Sequence, residues 1–195
     1  MGSTRKPHFF VQTTCQEAHV SYRSDLVKVE ISRRALLHNL QQFRQSITAP
    51  TQLATVIKAN AYGHGLIPVA QIIGDRADWL MVHCIDEVAL LREAGMQQPI
   101  LVLSYIQRAD MEWALSLDTD FSVSSLGTAG DIAACAERCQ KPAKVHIKVE
   151  TGTHRQGVMP GDLVELVQFV EQHPALHLRG IYTHFANIED TTDHT

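Results

Sequence analysis

The sequence predicts an α/β fold built around a parallel sheet. Seven short runs rich in β-branched and apolar residues recur along the chain, and segments with apolar residues at helical spacing lie between them. Regular alternation of this kind is typical of right-handed βαβ units. With 45% apolar and 19% charged residues among 195, the composition is that of a globular protein and excludes a disordered or fibrous one.

The predicted strands are short and are bounded by turn-forming residues. They are Val27–Ile31, Leu53–Ile57, Trp79–His83, Ile100–Leu103, Phe121–Val123, Val145–Val149 and Leu178–Thr183. The six strands from Leu53 onward would complete a doubly wound open sheet. They would leave a (β/α)8 barrel two units short, because such barrels typically need about 250 residues. Length alone therefore favours the open sheet, although no G-x-G-x-x-G dinucleotide motif follows the first strand.

The predicted helices have recognisable first residues. Ser32 is a suitable N-cap for a helix that places Leu36 and Leu40 on one face. A second helix is predicted over Asp86–Ala94, where an acidic residue opens the helix. Ser124 or Ser125 can cap a further helix that runs toward Cys139. Pro160 and Gly161 precede the last apolar-periodic stretch.

Residues 1–25 lack periodicity, and we expect them to be a weakly ordered lead-in to a domain over residues 26–195. The first thirty residues hold no apolar signal region, and nowhere do eighteen apolar residues run together, which predicts a cytoplasmic protein with no membrane partner. A net charge of −4 without a long basic run argues against nucleic acid as a partner. The four cysteines form no C-x-x-C pair, as expected of reduced thiols.

The most informative stretch runs from Val56 to Gly65, with the sequence VIKANAYGHG. Lys58 is expected at the carboxyl end of a strand, which is where α/β folds place catalytic groups. Desolvation at that position would lower the pKa of the lysine and leave more neutral amine to attack an aldehyde. On spacing alone, a lysine that merely begins an exposed loop is the alternative.

The turn from Tyr62 to Gly65 places small residues ahead of a helix. Its backbone N–H groups and the Tyr62 hydroxyl could bind an anion such as a phosphate. An ordinary strand-to-helix loop would have the same pattern.

Three segments together resemble the alanine racemase family. Val56–Gly65 resembles the pyridoxal-phosphate lysine motif of that family, Lys148–Val158 resembles its second motif and Gly180–Ala186 resembles its third. The order and separation of the three segments also agree with the family. The resemblance extends from Val27 to Thr195. It implies a (β/α)8 TIM-barrel fold, with residues 26–195 as the N-terminal part of the cofactor-binding barrel domain, because the chain is about half as long as a family member.

The resemblance also implies a role for individual residues. Lys58 would hold pyridoxal 5'-phosphate as an internal aldimine and act as one of two catalytic bases, and Tyr62 would contact the cofactor phosphate. Arg155 would approach the phenolic oxygen of the cofactor and the substrate carboxylate. Lys148 matches a lysine that is often N-carboxylated and positions that arginine, and His184 matches a histidine beside the cofactor ring. From the residues alone, Arg155 could be a surface cation, Lys148 a strand-end lysine and His184 a satisfied core histidine.

The function implied is a pyridoxal-phosphate-dependent racemase that interconverts L- and D-alanine for cell-wall synthesis, working as a homodimer at full length. Because the family's opposing base lies beyond the matched segments, we expect this chain alone to be weakly active or inactive. A noncatalytic pyridoxal-phosphate-binding or homeostasis protein is the alternative, and a fragment without cofactor is a third. The chain departs from the family at Glu150, Thr153 and Gln156, where Asp, Met and Leu are usual. No metal-binding motif is found, and we expect Asp190, Asp193 and His194 to be a disordered end of the chain rather than a metal site.

Overall fold

The computed structural model describes residues 30–186, and six parallel strands form its sheet. They are β1 (Ala54–Val56), β2 (Trp79–Val82), β3 (Ile100–Val102), β4 (Thr119–Val123), β5 (Ala143–Val149) and β6 (Leu176–Thr183). Each strand pairs in parallel with the next one in sequence, so the spatial order is β1-β2-β3-β4-β5-β6. A doubly wound sheet reverses its strand order at a switch point, whereas a barrel wall does not. The strand order therefore confirms an incomplete barrel and excludes the open sheet.

One helix precedes β1, and helices connect the successive strands. They are α1 (Arg33–Ser46), α2 (Lys58–Tyr62), α3 (Leu66–Ile73), α4 (Ile85–Glu93), α5 (Met111–Ser116), α6 (Leu126–Cys139) and α7 (Pro160–Gln172). Short 3-10 turns occupy Gly74–Arg76 and Arg108–Asp110. In the described part of the chain, none of the helices has the length and apolar character needed to cross a bilayer.

Two of the predicted helix caps are confirmed by their hydrogen bonds. The Ser32 hydroxyl accepts the backbone N–H of Ala35 at 3.2 Å, and the Ser125 hydroxyl accepts that of Thr128 at 3.2 Å. Helix α4 begins one residue earlier than predicted, at Ile85, with Cys84 in the capping position. Helix α5 had no clear pattern in the sequence because it is only six residues long.

Strand β4 begins two residues before its predicted start because it carries buried polar residues. Thr119 and Asp120 are only 2% and 1% exposed, although their side chains gave no apolar signal. The Asp120 carboxylate is paired with His146 Nε2 on the neighbouring strand at 2.9 Å. A cross-strand partner of this kind makes burial of the charge tolerable, and the sequence pattern does not reveal it.

Several predictions fall wholly or partly outside the described residues. These are the lead-in over residues 1–25, most of the strand Val27–Ile31, and the acidic cluster near the last residue. Glu30 and Ile31 are described and lie in no strand, so that part of the prediction is wrong. The compact unit that contains the sheet begins at Ser32.

The core lies between the sheet and its helices. Alternate residues of the central strands are at most 1% exposed, namely Ile100, Val102, Phe121, Val123, Val145 and Ile147. Successive side chains of a strand point to opposite faces. Ser122 and Lys148 alternate with these apolar residues, so they lie on the face of the sheet that points away from the helices. That face carries the candidate site.

Candidate active site

A cavity of about 480 Å³ lies at the carboxyl ends of the strands. All five residues singled out in the sequence line it, namely Lys58, Tyr62, Lys148, Arg155 and His184. They come from three separate segments, which follow β1, lie within and after β5, and follow β6. Barrel-type α/β proteins place their active sites at this end of the strands.

The cavity is strongly cationic. Its lining includes Lys58, Lys148 and Arg155 but no aspartate or glutamate, although the whole chain carries a net charge of −4. A concave site lined by charge of one sign concentrates ligands of the opposite sign. The cavity is therefore suited to an anionic ligand.

Lys58 lies just beyond the carboxyl end of β1, next to a buried residue that fixes its position. It follows Ile57, which is 2% exposed, and its ammonium lies 5.9 Å from the centroid of the Tyr62 ring. A cation over an aromatic face is attracted by the electrons of the ring. The side chains of Lys58 and Tyr62 therefore reach the cavity together.

The backbone between these two side chains is left-handed. Ala59, Asn60, Ala61 and Tyr62 have φ values between 52° and 54°, so α2 is a single left-handed turn. For residues other than glycine this conformation costs about 1–2 kcal/mol each. Four such residues in succession require support from outside the turn.

Glu87 and Asn60 provide that support. The backbone N–H of Asn60 donates to Glu87 Oε1 at 2.9 Å, and that of His83 donates to Glu87 Oε2 at 2.8 Å. The side-chain oxygen of Asn60 accepts the N–H of Leu66 at 2.7 Å, at the start of α3. Glu87 is 9% exposed, so its carboxylate is a buried connection between the loops that follow β1 and β2.

The backbone N–H groups after Tyr62 do not serve the purpose suggested by the sequence. Those of Gly63 and Gly65 donate to the carbonyl of Asn60, and that of His64 donates to the carbonyl of Ala61. Closing the left-handed turn uses these donors. The hypothesis that they bind an anion is therefore wrong, whereas Tyr62 itself does line the cavity.

The loop after β5 is organised by Glu150, which is 6% exposed. Its carboxylate accepts the Gly152 N–H at 2.6 Å, the Thr153 hydroxyl at 3.1 Å and the Arg155 N–H at 3.2 Å. Hydrogen bonds from the backbone of His154 and from these donors lower the pKa of Glu150 to about 2, against the smaller opposing effect of burial. Glu150 is therefore anionic at neutral pH and fixes the loop that carries Arg155.

Gly157 allows this loop to return against the strand. A Cβ atom there would lie 2.4 Å from the backbone nitrogen of Glu150, and the φ angle of the residue is +151°. Because of this close approach, the Glu150 N–H donates to the carbonyl of Val158 at 2.9 Å, and the Val158 N–H donates to the carbonyl of Lys148 at 2.8 Å. Only glycine fits both the space and the angle.

Lys148 is a buried cation, 5% exposed, with one hydrogen-bond acceptor. Its ammonium donates to Gln156 Oε1 at 3.1 Å and lies 5.8 Å from the centroid of the Tyr182 ring. Burial lowers the pKa of Lys148, and the nearby charges of Arg155 and Lys58 lower it further. A larger fraction of neutral amine is therefore present here than at an exposed lysine.

Tyr182 is a lining residue that the motif contained but that we did not single out. Its hydroxyl is hydrogen-bonded to the Ser122 hydroxyl at 2.7 Å, and burial raises its pKa while this bond opposes the shift. His184 follows β6 and is exposed at the edge of the cavity. The Tyr182 ring therefore lies next to the Lys148 ammonium inside the cavity, and His184 lies nearer to solvent.

The contacts of Glu87 were not predicted from the sequence. The only signal was its place at the start of the helix predicted over Asp86–Ala94, because an acidic residue in the first turn of a helix often accepts a nearby backbone N–H. That position explains the contact with His83. The contact with Asn60 joins residues 27 apart, and no local pattern indicates it.

The strand order and the cationic cavity define a barrel-type α/β protein with its candidate active site at the carboxyl ends of the strands. Residues 31–195 match the sequence family described as alanine racemase, N-terminal domain. The chain belongs to this family.

Curated relatives and solved structures agree with this assignment. The alanine racemase of Methanococcus maripaludis is 37% identical over 164 residues, which cover 83% of this chain and 44% of the relative. The crystal structure of the alanine racemase from E. faecalis is 34% identical with a TM-score of 0.75, covering 83% of this chain and 45% of that one. The histidine racemase of Leuconostoc mesenteroides is 30% identical with a TM-score of 0.74, covering 80% and 42%.

The chain spans less than half the length of these relatives. The similarity therefore covers the part of the family that carries β1 to β6 and the five lining residues.

Proposed function

We propose that the cavity binds pyridoxal phosphate and that the protein is a racemase acting on alanine. The observation that carries the proposal is the convergence of Lys58, Tyr62, Lys148, Arg155 and His184, from three separate segments, on one cationic cavity. The names of the curated relatives support alanine as the substrate.

The residues present fit this cofactor. Lys58 offers a primary amine to an aldehyde, and Tyr62 with the surrounding cations suits a phosphate group. A cavity of about 480 Å³ is in the usual size range for sites that enclose a small molecule. Bound pyridoxal phosphate supplies an electron sink that stabilises the carbanion formed when the Cα–H bond of an amino acid breaks.

In this proposal the residues of the chain orient the substrate and move its proton. The Lys58 amine takes the Cα proton and returns it, while the Arg155 guanidinium pairs with the substrate carboxylate. The Glu150 carboxylate keeps Arg155 in place through the backbone of its loop. Racemisation also needs a second proton donor on the opposite side of the substrate, because one base alone returns the starting enantiomer.

Lys148 is proposed as the site of N-carboxylation. Carbon dioxide adds to a neutral amine through a new N–C bond, and the nitrogen releases one proton to water. Burial and two neighbouring cations favour the neutral form of this lysine. The adduct would replace a buried cation with an anion beside Arg155. NMR of protein equilibrated with isotope-labelled bicarbonate tests this, and we expect one carbamate signal that is absent from a Lys148→Arg variant.

Chemical trapping tests cofactor binding. The protein is mixed with pyridoxal phosphate and reduced with borohydride, and the labelled peptides are identified by mass spectrometry. We expect the label on Lys58, lost in Lys58→Arg and retained in Lys144→Arg, because Lys144 is a partly exposed lysine paired with Asp118. Equal labelling of several surface lysines, unchanged by Lys58→Arg, would contradict the proposal.

Proton exchange tests the reaction separately from binding. Alanine is incubated with the protein and cofactor in deuterated water, and incorporation of deuterium at Cα is followed by NMR. Histidine is the second substrate to test, because one structural relative is a histidine racemase. Labelling of Lys58 without exchange would favour a noncatalytic pyridoxal-phosphate-binding protein.

The proposal also extends to the assembly. We propose that the protein functions as a homodimer that supplies D-alanine for cell-wall synthesis, as the family resemblance implies. Light scattering coupled to size-exclusion chromatography measures the oligomeric state directly, and a monomer at all concentrations would contradict the dimer.

A further inference from the structure

We propose that Glu87 is a positioning residue for Lys58 and Tyr62, because its carboxylate keeps α2 left-handed. As far as the cofactor is concerned, this inference rests on the function proposed above. The backbone part of it is independent of any ligand.

The geometry places one carboxylate between two walls of the cavity. Glu87 belongs to α4, yet its Oε1 accepts from Asn60 at 2.9 Å and its Oε2 accepts from His83 at 2.8 Å. Lys58 and Tyr62 flank Asn60 in the first wall, and His83 belongs to the second. The two loops are therefore held at a fixed separation by one buried group.

The negative charge is needed for this role. Both contacts are with N–H donors, and a carboxylate accepts through both of its oxygens. A glutamine at position 87 has one accepting oxygen, and its amide nitrogen would direct hydrogens at the second N–H. In the glutamine variant neither N–H donates to a charged acceptor, and one of the two loses its acceptor altogether.

The left-handed turn depends on the contact with Asn60. Four successive residues other than glycine have φ values near +50°, a conformation that an unsupported chain leaves for the right-handed region. Lys58 immediately precedes these residues and Tyr62 is the last of them. Relaxation of the turn would move both side chains away from their positions in the cavity lining.

A purely local role for Glu87 makes a different prediction. An acidic residue in the first turn of a helix is stabilised by the helix dipole, and Asp86 occupies the same turn with an exposed side chain. If the dipole were the whole explanation, Asp86→Asn and Glu87→Gln would have similar effects. If Glu87 positions α2, only Glu87→Gln affects the turn.

Hydrogen exchange tests the backbone role in the absence of cofactor. The exchange rates of the Asn60 and His83 amides are measured by NMR in wild type, Glu87→Gln and Asp86→Asn. We expect Glu87→Gln to lose about tenfold of the protection at Asn60, the usual effect of losing a hydrogen bond to a charged group. Asp86→Asn should exchange like wild type, and wild-type protection of Asn60 in Glu87→Gln would overturn the proposal.

Rescue by glycine separates positioning from a general loss of stability. Ala59 is exposed and has a φ of 52°, which glycine adopts without strain. We expect Glu87→Gln to slow the borohydride-trapped labelling of Lys58 about tenfold, matching the lost protection of Asn60. The Ala59→Gly, Glu87→Gln double variant should recover most of that loss, and Ala59→Gly alone should label at nearly the wild-type rate.

Failure of the rescue would overturn the positioning role, because destabilisation of the core is not repaired at Ala59. Circular dichroism establishes that each variant is folded. If Glu87→Gln does not fold, Glu87→Asp replaces it in both measurements, since it keeps the charge and shortens the reach by one methylene. If wild type itself takes no label at Lys58, the proposed function fails, and the exchange of Asn60 still decides the role of Glu87.

Discussion

Two buried carboxylates organise two loops of the cavity in different ways. Glu150 accepts from residues two to five positions ahead of it, within its own loop. Glu87 accepts from Asn60, 27 positions earlier, on a different element. One loop is therefore built by its own sequence, and the other is supported by the packing of α4 against it.

The backbones of the two loops differ accordingly. The β5 loop places glycines at two of its three positive-φ positions, Gly152 and Gly157, with His154 at the third. The turn α2 has no glycine within its four left-handed residues. Glycine makes a left-handed conformation inexpensive, whereas the other residues need external hydrogen bonds to hold it. A left-handed backbone can therefore be stabilised either by local glycines or by tertiary hydrogen bonds.

The largest effect is expected at the locally built loop. Gly157→Ala would place a Cβ 2.4 Å from the backbone of Glu150, at a φ of +151°. Since neither backbone can give way cheaply, we expect the free energy of unfolding to fall by about 3 kcal/mol. Urea denaturation measures it, with Gly161→Ala as the control because no atom lies within 4 Å of its added Cβ. A loss confined to a few tenths of a kcal/mol would show that the loop is not built around Gly157.

The charge of Glu150 makes the same loop sensitive to acid. Its pKa is about 2 when folded against an ordinary value of 4.5, so below 4.5 the unfolded chain binds a proton that the folded chain does not. The contribution to stability is complete above pH 4.5 and is lost as the pH falls toward 2. Glu150→Gln should lower stability at neutral pH and flatten this part of the profile, whereas the exposed Glu171→Gln should not. Parallel profiles for wild type and Glu150→Gln would argue against the hydrogen bonds.

The loop that is held by tertiary contacts, α2, is tested at Asn60. Asn60→Ala removes the acceptor of the Leu66 N–H and a side chain that tolerates left-handed backbone. We expect a loss of about 2 kcal/mol, close to that of a strong helix cap. Thermal or urea unfolding measures it, and hydrogen exchange at Leu66 shows whether the loss is local. Unchanged exchange at Leu66 would mean that α3 begins without this bond.

The smallest effect is expected at a left-handed residue that no carboxylate supports. Gln140 ends α6 with a φ of 51° and an exposed side chain. Gln140→Gly should stabilise the protein by about 1 kcal/mol, because glycine is the preferred residue at such a helix end. The measured change in the free energy of unfolding gives the cost of one isolated left-handed residue. That cost can be compared with the support that α2 needs for four such residues. A destabilised variant would show that the Gln140 side chain makes a contact of its own.

Some features of the fold and of the site were predicted correctly from the sequence, and others were not. The alternation of short apolar runs predicted all six strands from β1 onward. Ser32 was identified as a cap, and of the two candidates Ser124 and Ser125 it is Ser125 that caps α6. Strand β4 was predicted too short because the burial of Asp120 depends on its partner His146 across the sheet. The five site residues line one cavity, and their individual roles stay predictions until the trapping and exchange experiments are done.

The sequence by itself determined the six strands from β1 onward, the starts of α1 and α6, the family and five of the residues that line the cavity. These features depend on properties within a few residues, such as apolar spacing, a capping hydroxyl or a motif. Only the tertiary structure decided the left-handed turn and the role of Glu87. The physical reason is that the backbone of α2 is unfavourable alone and is held by an acceptor 27 residues away, which no local pattern encodes.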